Sequence, residues 1–531
     1  MFTKKKLRLK KFYFHPIVTY TFLTIILIIF SAILSKLQMQ ATYDVVNTTN
    51  NELSPTLVAV ESMLTRNGIK FFISGAIKNF LSFAPLGTLI ISLIGLSIAE
   101  ATGMIEALTR RKLSKLPKYT ITFIVIFLAT ISSLINEVGY AILIPLAALI
   151  YFINDRNPIL GIVTAFCGVS FGYGVSIFVG TMETSLIKYT ESAATLIDPN
   201  AHIALTSNLI FIIAASIILS IIGTLIIEKL IAPKIGHYKK DEDFAETQKY
   251  ELFIEEEAEQ ALIEKDKNEK RGLKYALIAS IVLLLGYAWM LIPNLPYSGL
   301  LLDMESNIYL TELFGESAYF ENAFTYLIAI FLIITGLSYG IGARTIKHNY
   351  TFIERAGSSF NKLNSMFILI FVASQFIAIF KKTNIGLIIT TWLADLVGIL
   401  KFQGIPLIII TLLLIAIANI FLTSSESKWM IFSPIVVPLF MQSNIAPQFA
   451  QIVMRAGDSM TRGFTPFLAS FVIYLGYLNI YNLDKDKPYT IKRSLKLITP
   501  YFLLISLSWI ILIVLWYVTG LPIGPHVFPT I

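Results

Sequence analysis

The stretch ESKWMIFSPIVVPLFMQSNIAPQFAQIVMRAGDSMTRG, residues 426–463, is the most informative part of the chain because it repeats an earlier segment. Shifted by 289 residues, it aligns without a gap with EVGYAILIPLAALIYFINDRNPILGIVTAFCGVSFGYG, residues 137–174, with seven identities in 38 positions. Six of the identities join Glu137 to Glu426, Pro145 to Pro434, Pro158 to Pro447, Gly168 to Gly457, Ser170 to Ser459 and Gly174 to Gly463. Because these matches fall on turn and break residues, they indicate an internal structural repeat.

The composition is that of an integral membrane protein. Of the 531 residues, 55% are hydrophobic and 14% are charged, and the mean hydropathy is +0.72, whereas soluble domains carry about 25% charged residues. One Cys and five His exclude a disulfide scaffold and a zinc finger. The formal charge of +8 comes from short basic runs beside apolar segments, which indicates cytoplasmic loops. Nucleic acid is therefore not an expected partner.

Apolar segments predict an all-α polytopic membrane protein with about nine transmembrane helices and two re-entrant hairpins. The spans are predicted at 18–34, 80–99, 159–186, 206–228, 273–293, 322–341, 365–380, 448–478 and 498–519, with 384–400 in the membrane interface. Residues 119–153 and 404–441 form the hairpins, although two ordinary short spans are an alternative for the first. Basic loops place the N-terminus in the cytoplasm, and the count of spans leaves the C-terminus outside. The hairpins then enter from opposite sides, so the repeat is inverted.

These segments divide the chain into five predicted regions. They are N-terminal scaffold helices at 1–118, a first repeat at 119–228, a charged cytoplasmic linker at 229–272, middle scaffold helices at 273–364 and a second, inverted repeat at 365–531. Inverted repeats with discontinuous helices at the midplane are typical of secondary transporters. A channel remains an alternative, since broken helices also build pores. An enzyme is disfavoured because the five His lie outside the spans or at their edges, and an ATP-driven pump because no Walker-type phosphate loop occurs.

Clustered small residues predict where the two long helices break. Gly174 and Ser176 in the first repeat and the segment 463–466 in the second supply backbone that can face a cavity, although close helix packing through small residues is an alternative. Hydroxyl donors near the breaks complete the predicted substrate site, which comprises Gly174, Ser176, Ser424, Ser425, Trp429, Arg455, Asp458, Ser459, Thr461, Thr465 and Pro466. Trp429 either stacks on an aromatic substrate or packs against protein.

Charged residues in apolar surroundings are candidates for coupling an ion to transport. A charge inside the membrane needs either an oppositely charged partner or a water-filled cavity. Arg455 and Asp458 are three residues apart and are predicted to pair on one helix face beside the substrate. Glu137, Glu183 and Glu426 are candidates to carry a proton or to help bind a cation. For Glu426, static neutralisation by Lys428 or Arg462 is the alternative. No cofactor is expected beyond a coupling ion, H⁺ or Na⁺.

Several motifs resemble the AbgT family of p-aminobenzoyl-glutamate transporters. They include NIFLTSSESKWMIFSPIVVPLFMQ at 419–442, RAGDSMTRGFTP at 455–466, FAPLG at 83–87, GYAILIPLAA at 139–148, GIVTAFCGVSFG at 161–172, SQF at 374–376 and GLPIGP at 520–525. The resemblance extends over nearly the whole chain, and the Arg-x-Gly-Asp-Ser segment is its most specific part. The residues that match the functional positions of the family directly are Ser424, Trp429, Pro438, Arg455, Asp458, Ser459, Thr461 and Pro466.

The resemblance implies a homodimer in the bacterial inner membrane, with nine helices and two hairpins in each protomer. It implies that the protein uses an ion gradient to import p-aminobenzoyl-glutamate or to export sulfonamide-type antimetabolites; another small carboxylate is the alternative substrate. The expected partners are thus an anionic or aromatic small molecule, the lipid bilayer and a second copy of the chain. This sequence departs from the family pattern at Glu137, at 174–176, and at Glu183, Glu426 and Arg462. The departures cluster at the predicted site, so they bear on the substrate and the coupling ion rather than on the fold.

Overall fold

A computed structural model describes residues 14–46, 52–135, 138–238, 255–304, 308–315, 318–361 and 363–531. Within these ranges the helices are Pro16–Lys36, Arg66–Ser74, Ala76–Leu81, Pro85–Ala101, Met104–Arg111, Lys118–Ile131, Val138–Ile153, Pro158–Phe171, Thr181–Ala194, Leu209–Ile226, Ala232–Ile235, Glu255–Met290, Tyr309–Phe314, Phe320–Ala343, Asn349–Asn361, Asn364–Lys382, Ile385–Leu400, Gly404–Phe421, Ser425–Gln442, Pro447–Arg462, Ala469–Ile480 and Ile491–Thr519. Short 3₁₀ turns occur at Leu113–Lys115 and Ser132–Ile135, and a π turn at Ile227–Ile231. The predicted helical membrane fold is confirmed.

One antiparallel strand pair departs from an entirely helical fold. Strands Gln40–Val46 and Leu53–Ala59 pair with Gln40 opposite Ala59 and Val46 opposite Leu53. They lie between the spans predicted at 18–34 and 80–99. Two short strands need packing partners to be stable, and Ala41, Val46 and Val58 supply buried contacts.

Seven helices in the described part of the chain are long and apolar enough to cross a membrane. They are Pro16–Lys36, Leu209–Ile235, Glu264–Met290, Phe320–Ala343, Asn364–Lys382, Gly404–Phe421 and Ile491–Thr519. An eighth candidate combines Pro85–Ala101 with Met104–Lys115, which bend by 70°. The predicted count of nine stays a prediction, because it treats each of two broken helices as one span.

The charged segment before the span at 273–293 continues into it without a break. Helix Glu255–Met290 crosses position 272, where a linker was predicted to end. Within Glu264–Met290, only 6% of the apolar stretch is buried against protein. The exposed apolar surface of this helix is therefore suited to contact with lipid. Residues 239–254 of the predicted linker lie outside the described residues, and the division into five regions stays a prediction.

The repeat in the sequence reappears as matching helices. The segment predicted as the first hairpin forms helices Lys118–Ile131 and Val138–Ile153, and the first broken helix follows as Pro158–Phe171 and Thr181–Ala194. The segment predicted as the second hairpin forms helices Gly404–Phe421 and Ser425–Gln442, and the second broken helix follows as Pro447–Arg462 and Ala469–Ile480. The re-entrant course of both hairpins stays a prediction, since Gly404–Phe421 is itself long enough to cross a membrane. Pro158 and Pro447 each begin a broken helix, where proline is favoured because no intrahelical N–H bond is lost.

Equivalent glycines make equivalent contacts within the two repeats. A Cβ added at Gly168 would lie 3.0 Å from the carbonyl oxygen of Ile126, and one at Gly457 would lie 3.0 Å from Cβ of Ile415. Ile126 and Ile415 are themselves 289 residues apart. Each glycine therefore lets its broken helix pack closely against the first arm of its own hairpin.

Candidate functional site

A cavity of about 590 Å³ lies where the two repeats meet. Its volume is within the range of small-molecule sites. The walls come from both broken helices, the tip of the second hairpin and the junction between helices Asn364–Lys382 and Ile385–Leu400. The lining residues are Tyr173, Met182, Ser185, Leu186, Ile377, Phe380, Lys381, Asn384, Gly386, Leu387, Phe421, Leu422, Thr423, Ser424, Ser425, Glu426, Ser427, Arg462 and Phe467.

The two repeats touch each other reciprocally beside this cavity. The backbone N–H of Gly174 donates to Ser459 Oγ at 2.7 Å, while a Cβ at Gly463 would lie 2.9 Å from Cβ of Ser170. Gly174 is the repeat equivalent of Gly463, and Ser170 of Ser459. Such reciprocal contacts are what a two-fold axis produces between two copies of one surface.

One pair of repeat equivalents touches directly. Tyr173 and Arg462 are 289 residues apart, and the Arg462 guanidinium carbon lies 3.4 Å from the centroid of the Tyr173 ring. Both side chains line the cavity, so the cavity lies where equivalent residues of the two repeats meet.

The tip of the second hairpin presents a helix N-terminus to the cavity. Ser424 caps helix Ser425–Gln442 by accepting a hydrogen bond from the N–H of Ser427 at 3.3 Å. Ser424, Ser425 and Ser427 all line the cavity. Hydroxyls and the positive end of a helix dipole favour a bound anion at this wall.

Behind this wall lies a buried group of charges. Lys428 and Asp458 are fully buried, and the Lys428 Nζ lies 2.5 Å from Asp458 Oδ1. The ammonium also donates to Asn419 Oδ1 at 2.6 Å, and the Ser425 hydroxyl donates to Asp458 Oδ2. Arg462 lies 3.8 Å from the same carboxylate and donates to the carbonyl oxygen of Thr423 at 3.0 Å.

The predicted pairing of Arg455 with Asp458 is wrong. Arg455 instead forms an ion pair with Glu183 of the first broken helix and donates from Nε to the carbonyl oxygen of Gly174 at 2.8 Å. Glu183 also accepts from the N–H of Gly180 at 2.7 Å. Both charges are buried, so the pair joins the two repeats and holds the first break in place.

Neutralisation of Glu426 by Lys428 or Arg462 was one of the two predicted alternatives, and the structure contradicts it. Its carboxylate lies 3.1 Å from Lys188 Nζ and accepts from the Tyr189 hydroxyl at 3.2 Å. The Glu426 side chain is 47% exposed, so it lies at the rim of the cavity. Glu137, the third acid proposed for coupling, lies outside the described residues.

The other predicted site residues lie around the cavity without lining it. Trp429 is fully buried and donates from Nε1 to Thr190 Oγ1 at 2.8 Å. Thr461 donates to the carbonyl oxygen of Ala416 and Thr465 to that of Ile420. The Pro466 carbonyl oxygen accepts from the Tyr20 hydroxyl, and the Ser176 hydroxyl donates to the carbonyl oxygen of Phe178.

Part of this site could therefore be predicted from the sequence. Of the predicted residues, Ser424, Ser425 and Glu426 line the cavity, whereas Arg455, Asp458 and Ser459 hold its surroundings. Lys428 and Arg462 stood out as charges in apolar surroundings but were not assigned to the site. Tyr173 was missed, and its position as the repeat equivalent of Arg462 could have revealed it.

Aromatic side chains form the apolar part of the cavity wall. Phe380 and Phe467 stack with their ring centroids 4.1 Å apart, and Phe421 lies 6.4 Å from Phe467. Within the described part of the chain, no group of three His, Cys, Asp or Glu side chains could hold a metal ion. The cavity thus combines aromatic walls with hydroxyls and a guanidinium, which suits a molecule with both a ring and an acidic group.

Comparisons with known proteins place the chain among transporters. The model of the AbgT putative transporter family matches residues 9–530. The p-aminobenzoyl-glutamate transport protein of Escherichia coli (strain K12) is 28% identical over 515 residues, covering 97% of this chain and 94% of that protein.

Two relatives of known structure have similar lengths. The YdaH transporter of Alcanivorax borkumensis, described as having an unusual topology, is 27% identical with a TM-score of 0.47, and the match covers 96% of this chain and 100% of that one. MtrF of Neisseria gonorrhoeae, described as illuminating a class of antimetabolite efflux pumps, is 28% identical with a TM-score of 0.48 and coverages of 97% and 98%.

Proposed function

The chain belongs to the AbgT putative transporter family, and we propose that it is a secondary transporter of p-aminobenzoyl-glutamate or of a related aromatic amide or sulfonamide antimetabolite. An ion gradient, of H⁺ or Na⁺, drives the transport. The substrate name comes from the Escherichia coli relative, which shares 28% identity over nearly the full length.

The observation that carries this proposal is the cavity beside the contact between the equivalent residues Tyr173 and Arg462. A substrate held between two equivalent breaks can be exposed to either side of the membrane by rocking one repeat against the other. The reciprocal contacts of Gly174 with Ser459 and of Gly463 with Ser170 supply the surface about which such a motion occurs. The proposal also includes a homodimer in the bacterial inner membrane, with the N-terminus of each chain in the cytoplasm.

The cavity wall matches the chemistry of the proposed substrate. p-Aminobenzoyl-glutamate has one aromatic ring and two carboxylates at neutral pH. The ring suits the wall of Phe380, Phe421 and Phe467, while a carboxylate suits Arg462 and the N-terminus of helix Ser425–Gln442. The buried pair of Arg455 and Glu183 then positions the first break rather than binding the substrate.

The decisive experiment is uptake of radiolabelled p-aminobenzoyl-glutamate into proteoliposomes, with proton and sodium gradients imposed separately. Saturable uptake above the level of empty liposomes, stimulated by one of the gradients, is expected. Ser425→Ala should reduce uptake by about tenfold, because Asp458 loses the hydroxyl that donates to it at the cavity wall. Ser508→Ala is the matched control, since its hydroxyl donates to the carbonyl oxygen of Leu504 within helix Ile491–Thr519 and does not line the cavity.

Two outcomes would contradict the proposal. Absence of uptake with either gradient, while another small carboxylate is taken up, would show that the substrate is wrong. Non-saturable flux without counterflow of labelled for unlabelled substrate would identify a channel.

A further inference from the structure

We infer that Lys381 binds one carboxylate of a substrate that carries two, an assignment that rests on the proposed function. Lys381 lies in the last turn of helix Asn364–Lys382 and lines the cavity. Within the part of the chain that the structure describes, its ammonium group has no ion-pair or hydrogen-bond partner. A cation that faces a cavity in this way can give its charge-assisted hydrogen bonds to a carboxylate of the ligand.

Lys381 continues the aromatic wall of the cavity. It follows Phe380 in the chain, and the Phe380 ring stacks on that of Phe467 with the centroids 4.1 Å apart. At another edge of the same wall, Phe421 precedes the N-terminus of helix Ser425–Gln442 by four residues. A substrate ring held against these aromatic side chains therefore has an ammonium group near one edge and a helix N-terminus near another.

The turn that follows Lys381 is held by the antiparallel strand pair. The carbonyl oxygen of Thr383 accepts from the backbone N–H of Glu61 at 3.2 Å. The side-chain amide of Asn384 donates to the carbonyl oxygen of Ala59, the last residue of the second strand, at 3.2 Å. Because these hydrogen bonds fix the backbone beside Lys381, only its side chain has to be ordered when a ligand binds.

The same turn packs closely against the second hairpin. A Cβ at Gly386 would lie 2.7 Å from the carbonyl oxygen of Phe421 and 3.2 Å from the ring of Phe380. Since no side chain fits there, the start of helix Ile385–Leu400 lies directly against the residues that lead to the hairpin tip. Lys381 and the hairpin tip are therefore on adjoining walls of one cavity, with their backbones held in place.

Two separate anion-binding groups in one cavity favour a ligand with two carboxylates. One carboxylate accepts hydrogen bonds from the Lys381 ammonium, and the other from the hydroxyls and N–H groups at the N-terminus of helix Ser425–Gln442. A neutral sulfonamide leaves the ammonium without a carboxylate. The substrate class that follows is an aromatic dicarboxylate rather than a sulfonamide.

The position of Lys381 at a helix end allows a second explanation. Lysines are favoured in the last turn of a helix because they interact with the negative end of its dipole. Lys382 lies in the same turn, pairs with Glu61 at 2.7 Å on the surface and does not line the cavity. It is therefore a matched control. If Lys381 acts on the helix dipole alone, its replacement affects all ligands equally.

Binding to purified protein in detergent, measured by calorimetry, separates the two explanations. The probes are p-aminobenzoyl-glutamate and its two monoamides, each of which has a neutral amide in place of one carboxylate. The wild type should bind the dicarboxylate about tenfold more tightly than the monoamide that lacks the carboxylate for Lys381, as a hydrogen bond to a charged group predicts. In Lys381→Gln this preference should disappear, while the preference over the other monoamide stays.

The control variants should keep the preferences of the wild type. Lys382→Gln loses only an exposed ion pair, which contributes little, and Lys381→Arg retains the positive charge. Lys381→Gln removes no hydrogen bond or ion pair seen in the described part of the chain, so it should fold like the wild type. Unchanged preferences over both monoamides in Lys381→Gln would overturn the inference, as would an equal loss of affinity for all three ligands or a wild type without any preference.

Failure of the proposed substrate gives a different result. If the wild type binds neither p-aminobenzoyl-glutamate nor its monoamides, the proposed function is wrong. Lys381 is then tested with terephthalate, whose two carboxylates lie on opposite sides of one ring, against benzoate, which has one. About tenfold tighter binding of terephthalate that is lost in Lys381→Gln and kept in Lys382→Gln would support the inference. Equal affinities, a preference that survives in Lys381→Gln, or no binding of either ligand would overturn it.

Discussion

Buried charged side chains surround the cavity, and each has its partner on another segment of the chain or one helical turn away. They are Glu183, Lys428, Arg455, Asp458 and Arg462. The pair of Arg455 with Glu183 joins the two repeats, and the pair of Lys428 with Asp458 joins helices Ser425–Gln442 and Pro447–Arg462 within the second repeat. Breaking such a pair leaves a buried charge without compensation, which destabilises a protein by about 3–5 kcal/mol.

At the residue scale, we predict that Arg455 is energetically coupled to Glu183 rather than to Asp458. Arg455→Gln and Glu183→Gln should each lower thermal stability, and the double variant should lose less than the sum of the two losses, because each single change leaves one buried charge behind. The measurement is a double-mutant cycle on the melting temperature in detergent, with Arg455→Gln combined with Asp458→Asn as the comparison. A larger coupling in the Asp458 cycle would contradict the structure.

At the element scale, the two breaks depend on glycines that bring the repeats into contact. A Cβ at position 174 would lie 2.6 Å from the carbonyl oxygen of Arg455 and 2.6 Å from Ser459 Oγ. At position 463 it would lie 2.8 Å from the ring of Phe171. Since both sites are enclosed by the opposite repeat, a methyl group requires the two repeats to separate.

We predict that Gly174→Ala and Gly463→Ala each destabilise the protein by about 1–3 kcal/mol through overpacking. Gly286→Ala is the matched control, because nothing lies within 4 Å of a Cβ there, and in helix Glu255–Met290 alanine is favoured over glycine by about 1 kcal/mol. Thermal unfolding of the three variants in detergent gives the comparison. Unchanged melting temperatures for both break variants would mean that the repeats do not touch at these glycines.

At the scale of the whole molecule, the repeat predicts the membrane topology of the chain. The family membership confirms the expectation of a transporter rather than an enzyme, and the helices confirm several membrane spans. The opposite orientation of the two repeats stays a prediction. It follows from the basic loops, because Lys and Arg are retained on the cytoplasmic side.

We predict that residues 291–304 face outward and that residues 112–118 face the cytoplasm. On a Cys167→Ala background, a cysteine at Tyr297, which is 90% exposed, should react with an impermeant maleimide in intact cells. A cysteine at Ser114, also exposed, should react only after permeabilisation. The reverse pattern would contradict the predicted orientation.

The class of protein, the register of the repeat and the positions of the breaks could all be predicted from the order of the residues. Hydropathy and the placement of Gly and Pro are local properties that show directly in that order, and Pro158 and Pro447 begin equivalent helices as the alignment predicts. Helix periodicity also suggested that Arg455 and Asp458 share a face, but it could not identify their partners.

The pairing of the charges and the place of the cavity depend on tertiary packing and could not be predicted in this way. Glu183 and Arg455 are 272 residues apart, and Tyr173 and Arg462, which are also remote in the chain, are in contact. The physical reason is that the strength of an ion pair or a stack depends on distance in space and on burial. Both are set by the packing of helices that are remote from each other in the chain.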